Sequence, residues 1–327
     1  MSTRKTLKDF GLGFNSEGQL KYLDRDGNPT IHYNANSYSE EISSALFAHM
    51  SELLQSEIKL IKLGVPEGAW DKTGTCVFAS KDYESKKTLL LFVCSWAGFW
   101  NWWHSKTHFY EGTQLSYIKK ALDKDYGVII TNCGVNYLSY CRKKIPNSGT
   151  PEEHVVYVWN QYVARARASS VVIISYFHEA QYVGALYHGV RKSFEKRVRA
   201  VALLAPTDYK RMWLVPPPHS VHTSFMRRVG RQWVLSSSRK LDLPLETPRG
   251  EIRRVSSGCR SAMEAPKACE DSVFKFIDKK LKKYYSKYPC IEMEPPPPLL
   301  SPHTKRKSKS RTKAKYDLVK EYTYDSG

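Results

Sequence analysis

Val171-Val172-Ile173-Ile174-Ser175-Tyr176-Phe177-His178-Glu179-Ala180 decides how the rest of this chain is read. The four leading residues form a continuous apolar run with β-branched side chains, the pattern of a strand buried on both faces. The run then breaks into a segment of helical character. At such a strand-to-helix junction, hydrolase folds carry Gly-x-Ser-x-Gly, with the serine on a strained turn above the sheet. Here the five elbow positions are Ser175, Tyr176, Phe177, His178 and Glu179. Both glycines are missing, and Phe177 stands where the nucleophile would be. A phenyl ring cannot attack a carbonyl, so the expectation is a retained scaffold with a degenerate elbow.

Outward from that junction, buried strands and helices alternate. Leu89–Cys94, Gly127–Thr131 and Val198–Leu204 read as strands, and Arg231–Ser236 as a shorter one. Helices are predicted over 40–58, 114–124, 151–168, 180–195 and 272–288. Pro151 suits a first helical turn, with Glu152 and Glu153 facing the positive end of the dipole. Residues 10–33 read as a β-hairpin-like entry with a turn at Asp26-Gly27-Asn28-Pro29. This order predicts an α/β fold: an α/β-hydrolase-like, mostly parallel sheet with helices on both faces. Residues 1–290 are expected to form the domain, with 205–230, including Pro216-Pro217-Pro218, as a surface insertion. Residues 291–327 read as a disordered Pro-rich and basic tail.

The chain has 327 residues with net charge +19, from 51 Lys/Arg against 32 Asp/Glu. The last 25 residues carry +5, leaving +14 on the rest, so the body itself favours polyanions such as RNA. Lys305, Arg306, Lys307, Lys309, Arg311, Lys313 and Lys315 form a nuclear-localisation-like run. The seven cysteines show no CxxC pair, which suits a reducing compartment without disulfides or a zinc site. No HExxH motif exists, and no metal or cofactor is expected. No apolar run reaches the roughly 18 residues of a membrane span, and no secretory signal is evident.

Phe14-Asn15-Ser16-Glu17-Gly18-Gln19-Leu20 begins a collinear set of motifs. Glu111-Gly112-Thr113-Gln114 through Gly127-Val128-Ile129-Ile130, with Asn136-Tyr137, continues it. Pro151-Glu152-Glu153-His154 through Tyr157-Val158-Trp159 precedes the elbow. Val255-Ser256-Ser257-Gly258 and Ser272-Val273-Phe274-Lys275-Phe276 close it. Over residues 10–285 the chain resembles the Argonaute-binding protein 2 domain family, in its animal cotranscriptional-regulator branch, and looks like the second paralogue there. The resemblance implies an α/β-hydrolase-like fold and a family elbow of His-Ser-Tyr-Gly-Gly, whose serine falls on Phe177. The family histidine falls on Ala262. The family aspartate falls on Ala205, or on His219 if the insertion comes first. The oxyanion turn falls on Cys94 and Ser95.

The first expectation is therefore a non-catalytic scaffold. By resemblance it would act in nuclear RNA silencing, chromatin regulation or alternative splicing through an Argonaute-type partner, in the nucleus and also the cytoplasm. The aromatic stretch Phe99-Trp100-Asn101-Trp102-Trp103 is the candidate contact, either as an exposed anchor or as a plug over the empty pocket. A second reading is a hydrolase with a relocated site, using Ser175 with His178 or Cys94 with His104. A third is a direct RNA-binding protein using the basic surface, and a fourth is a decayed paralogue without a maintained role. His154 reads as a surface or capping histidine.

Overall fold

The computed structural model describes residues 5–33, 39–69, 72–138, 140–206 and 221–289. The predicted tail, its basic run Lys305–Lys315 and His219 lie outside the described residues. An eight-stranded sheet forms the centre. Its strands are β4 (Ile61–Val65), β5 (Thr75–Ala79), β6 (Thr88–Val93), β7 (Gly127–Ile130), β8 (Ser170–Tyr176), β9 (Val198–Leu204), β10 (Gly230–Val234) and β11 (Arg254–Ser256). Their spatial order is β11-β10-β9-β8-β6-β7-β5-β4. All pairs from β7 to β11 are parallel, while β5 lies antiparallel to both β4 and β7. The order reverses beside β6, where chain crossovers open a crevice at the carboxyl ends of the strands.

Side-chain alternation divides the core into two layers. Leu90, Phe92, Val172, Ile174, Ala200 and Ala202 face one layer, covered by helices Glu40–Ser56, Leu115–Asp123 and Ala265–Lys287. Leu89, Leu91, Val93, Ile173, Val201 and Leu203 face the other, covered by Pro151–Val158, Ala180–Gly189 and the helix Val221–Val229. Every residue of β6 and β8 is buried, as their unbroken apolar runs require. The N-terminal segment forms a separate three-stranded antiparallel sheet of β1 (Leu12–Phe14), β2 (Leu20–Leu23) and β3 (Pro29–His32).

Several boundaries differ from the sequence reading. The helix predicted over 151–168 is α-helical only to Val158, then widens into a π-helical turn over Trp159–Val163. The helix predicted over 180–195 is two helices, Ala180–Gly189 and Arg191–Arg197, broken where Val190 leaves helical geometry. The last helix starts seven residues earlier than predicted, at Ala265, with a proline in its first turn. Residues 221–229 are not surface insertion. They form the crossover helix joining parallel neighbours β9 and β10, and they bury Phe225, Met226 and Val229.

Candidate functional site

β8 delivers Phe177 to the carboxyl edge of the sheet, where the chain turns through a 3-10 segment, Phe177–Glu179, into the next helix. Phe177 has φ of +52°, the left-handed region that L side chains other than Asn and Asp rarely adopt. That conformation costs about 1–2 kcal/mol. The strained turn of a nucleophile elbow is thus present, with a phenyl group at its tip. The ring is half-buried and stacks on Tyr176, with centroids 5.7 Å apart at 27°.

Ala205, at the carboxyl end of β9, also has positive φ, +42°, and its amide donates to the Trp233 carbonyl. Phe177, Ala205 and Ala262 all join the same apolar cluster, together with Tyr176 and Cys259. The positions expected to replace nucleophile, acid and histidine are thus drawn into one hydrophobic mass.

The aromatic stretch divides in two. Phe99 and Trp100 are interior, at 3% and 6% exposure, so neither can serve as an exposed anchor. Trp100 lies edge-on to Tyr176 and Tyr117 and tilted against Phe92, covering the strand that leads to the elbow. This is the plug alternative. Gly98 makes the turn possible: it has φ of +88°, and a Cβ there would stand 2.6 Å from the Met50 side chain. Trp102 and Trp103 remain half-buried. Between them lies Lys106, 1% exposed, with its Nζ 3.9 Å from the Trp103 ring centroid and 4.9 Å from that of Trp102. It has no hydrogen-bond acceptor. Among the described residues these rings, with Tyr33 at 6.0 Å, are the cation's partners, and burial lowers its pKa.

The candidate oxyanion turn, Cys94 and Ser95, is buried as well. The Cys94 amide donates to Thr131 Oγ1, and its thiol faces the Thr131 carbonyl and Gln114. Burial pushes the Cys94 thiol up to about 12, which leaves essentially no thiolate at neutral pH. Ser175 is fully buried and its Oγ donates to the Val93 carbonyl, locking β8 to β6. Both candidate nucleophiles are thus buried, Ser175 held to a strand carbonyl and Cys94 as a protonated thiol. Glu179 occupies a position the elbow motif reserves for glycine. Its carboxyl is buried beside Ser95, and desolvation raises its pKa, partly offset by His178 and by the Ser95 hydroxyl and amide.

His154 contradicts its reading as a surface or capping histidine. It is fully buried: Nε2 accepts from the Asn132 amide, and Nδ1 meets Ser148 Oγ at 2.9 Å. The cap of that helix is instead Thr150, whose side chain accepts from the Glu153 amide. Burial pushes His154 down to about 3. Through Asn132, which also accepts from the Ala97 amide, this histidine ties the loop after β7 to the loop after β6. No local sequence signal marks it, because its burial comes from long-range packing.

A groove of about 640 Å3 opens beside the elbow rather than over it, lined by Phe47, Trp96 and Trp102 and by Lys62, Cys76 and Asn132. Among the described residues, no cluster of three His, Cys, Asp or Glu side chains could hold a metal ion. Nor, among them, is any helix long and apolar enough to cross a membrane.

This architecture is shared with known proteins. The chain is 25% identical over 349 residues to the cotranscriptional regulator ARB2A of Mus musculus, covering 83% of this chain and 80% of that one. The Xenopus tropicalis homologue is 24% identical over 340 residues, covering 84% and 79%. The solved structure of the histone deacetylase Clr3 superposes with a TM-score of 0.51 at 17% identity, over 80% of this chain and 42% of that chain, a likeness of fold alone. The family profile of the Arb2 domain matches residues 3–240, well over half of the sequence. The chain belongs to the Arb2 domain family.

Proposed function

We propose that this chain is a non-catalytic scaffold in nuclear gene regulation, engaging an Argonaute-type partner. The mouse and frog relatives are cotranscriptional regulators by name, which supports the nuclear setting. The carrying observation is the elbow itself. Phe177 holds the strained φ of +52° without a nucleophile, and Trp100 covers the approach beside Tyr176. Maintaining the turn without a hydroxyl serves shape rather than acyl transfer. RNA silencing, chromatin and alternative splicing are the processes in which such a scaffold would work.

The contact surface on this reading is the half-buried pair Trp102 and Trp103, with the adjoining 640 Å3 groove that Trp102 lines. Partly exposed tryptophans beside a concave wall of mixed polar and apolar side chains are the type that dominates binding energy at interfaces. Wild type and a Trp102→Ala/Trp103→Ala variant should be compared in pull-downs from nuclear extract after RNase treatment. Recovery of an Argonaute-type protein by wild type, and its loss in the variant, is the expected result. A folded wild type that recovers none defeats the scaffold reading and leaves the decayed paralogue. Labelling by a fluorophosphonate probe would instead revive the relocated hydrolase.

A further inference from the structure

The parallel sheet has a second end, at the amino termini of its strands, opposite to the elbow. Arg199 is the second residue of β9, Arg231 the second of β10, and Arg253 immediately precedes β11. Strand register brings these starts together, since Gly230 pairs with Val201 and Gln232 with Arg254. The C-terminal half of helix Ala265–Lys287 ends over the same rim. The Lys280 ammonium donates to the Arg228 carbonyl and lies 5.3 Å from the Phe276 ring centroid. The Arg231 guanidinium lies 4.7 Å from the same centroid.

Arg228, Arg253 and Lys283 are exposed. Two carboxylates are engaged here: Asp242 stands 3.9 Å from Arg231, and Glu251 pairs with Arg254. None of Arg228, Arg253, Lys280 or Lys283 has an ion-pair partner among the described residues. Burial, followed by crowding from Arg231, Lys283, Arg253 and Arg228, brings Lys280 down to about 8. Such mutual repulsion is relieved when an anion binds. The same helix face continues into aromatic rings. Tyr284 packs under the Arg199 guanidinium at 3.8 Å, and Tyr288, 44% exposed, lies 5.2 Å from Tyr284. From Phe276 to Tyr288 the stripe runs about 18 Å, at about 1.5 Å per residue. That length matches about five stacked nucleotides at about 3.4 Å each.

We propose that this rim, with Arg228, Arg231, Arg253, Lys280 and Lys283 on the phosphates and Tyr288 beneath a base, is a binding site for single-stranded nucleic acid. Unpaired cations alone would suit any polyanion. The exposed tyrosine in line with them favours a ligand that also carries flat rings. The site stands apart from the elbow and does not depend on the scaffold reading.

The test uses the full chain and a fluorescein-labelled oligouridylate of about 15 nucleotides, with anisotropy read across a salt series. A thymidylate of equal length, an RNA duplex and polyglutamate serve as competitors. The variants are Arg228→Ala/Arg253→Ala/Lys283→Ala, Tyr288→Ala, and Lys305→Ala/Arg306→Ala/Lys307→Ala in the tail. The rim triple should lose about tenfold or more in affinity, and its log–log salt slope should fall by about 2, at about 0.7 per phosphate contact. Tyr288→Ala should lose about fivefold, the lower end for one stacked base. Relative competition by uridylate and thymidylate tells RNA from DNA; stronger competition by either than by the duplex supports the proposal. Unchanged binding in the rim triple, with loss only in the tail variant, overturns it. So does polyglutamate competing as well as the oligonucleotide, which would make the rim a dock for acidic protein segments.

Discussion

The two ends of the central sheet handle polar chemistry in opposite ways. At the carboxyl end, where an α/β sheet places its ligands, the elbow is capped by Phe177, Trp100 covers it, and Cys94, Ser175 and His154 are sealed inside. At the amino end, Arg228, Arg253 and Lys283 stand exposed beside the half-buried Arg231 and Lys280, which lie against Phe276. The difference separates shape from charge. A site filled with rings contributes to stability and is sensitive to volume, whereas an uncovered charged rim contributes little to stability and is free to bind.

Mutations should divide along the same line. The largest effect is expected at Trp100. Truncation to alanine removes a ring that touches Phe92, Tyr117 and Tyr176, and should cost about 3–5 kcal/mol in urea denaturation. A cost below about 1 kcal/mol would mean that Trp100 is not the plug.

Next comes acid sensitivity from His154. Its folded pKa, about 3, lies below the ordinary 6.5, so the unfolded chain binds the extra proton between those values. The stability it contributes is complete above pH 6.5 and is lost as pH falls toward 3, at about 1.4 kcal/mol per unit. His154→Asn, uncharged at every pH, should flatten that portion of the stability profile. An unchanged profile would show that carboxylates alone govern acid unfolding.

Phe177 offers a finer probe. Because its φ is +52°, glycine should be the better small replacement: Phe177→Gly is expected to be more stable than Phe177→Ala by about 1 kcal/mol. Equal stabilities would mean that the elbow relaxes once the ring is gone.

The smallest effect on stability belongs to the amino end. The Arg228→Ala/Arg253→Ala/Lys283→Ala triple should leave the thermal midpoint nearly unchanged, each exposed site contributing within about 0.5 kcal/mol. Substantial loss of stability there would erase the contrast between the two ends.

Much of the fold was legible because buried parallel strands announce themselves locally. β6, β7, β8 and β9 each hold an apolar run of at least three residues, and their reading needed no partner strand. β4, β5 and β11 escaped notice. β4 is half-buried along most of its length, with Lys62 and Gly64 interrupting it, and β11 is only three residues long. Each is a strand because a neighbour completes its hydrogen bonds. The strand-to-helix junction after β8 was legible too, because an apolar run ends there and helical spacing begins.

Burial of individual polar groups was not legible. Lys106, within His104-Ser105-Lys106-Thr107-His108, has no apolar neighbour in sequence to signal burial, yet it packs against two tryptophans. His154 follows two glutamates in a first helical turn, yet it lies at 0% exposure because loops after two different strands close over it. The sequence by itself determined the alternation of strands and helices, the phenylalanine that follows the β8 strand and the positive charge, since each is a local or summed property of residue types. Only the tertiary structure decided that Trp100 turns inward, that the turn after β8 is strained, and that the arginines of two strand starts, Arg199 and Arg231, meet one helix. Those outcomes depend on contacts between residues far apart in the chain, where packing and burial, not local pattern, set the free energy.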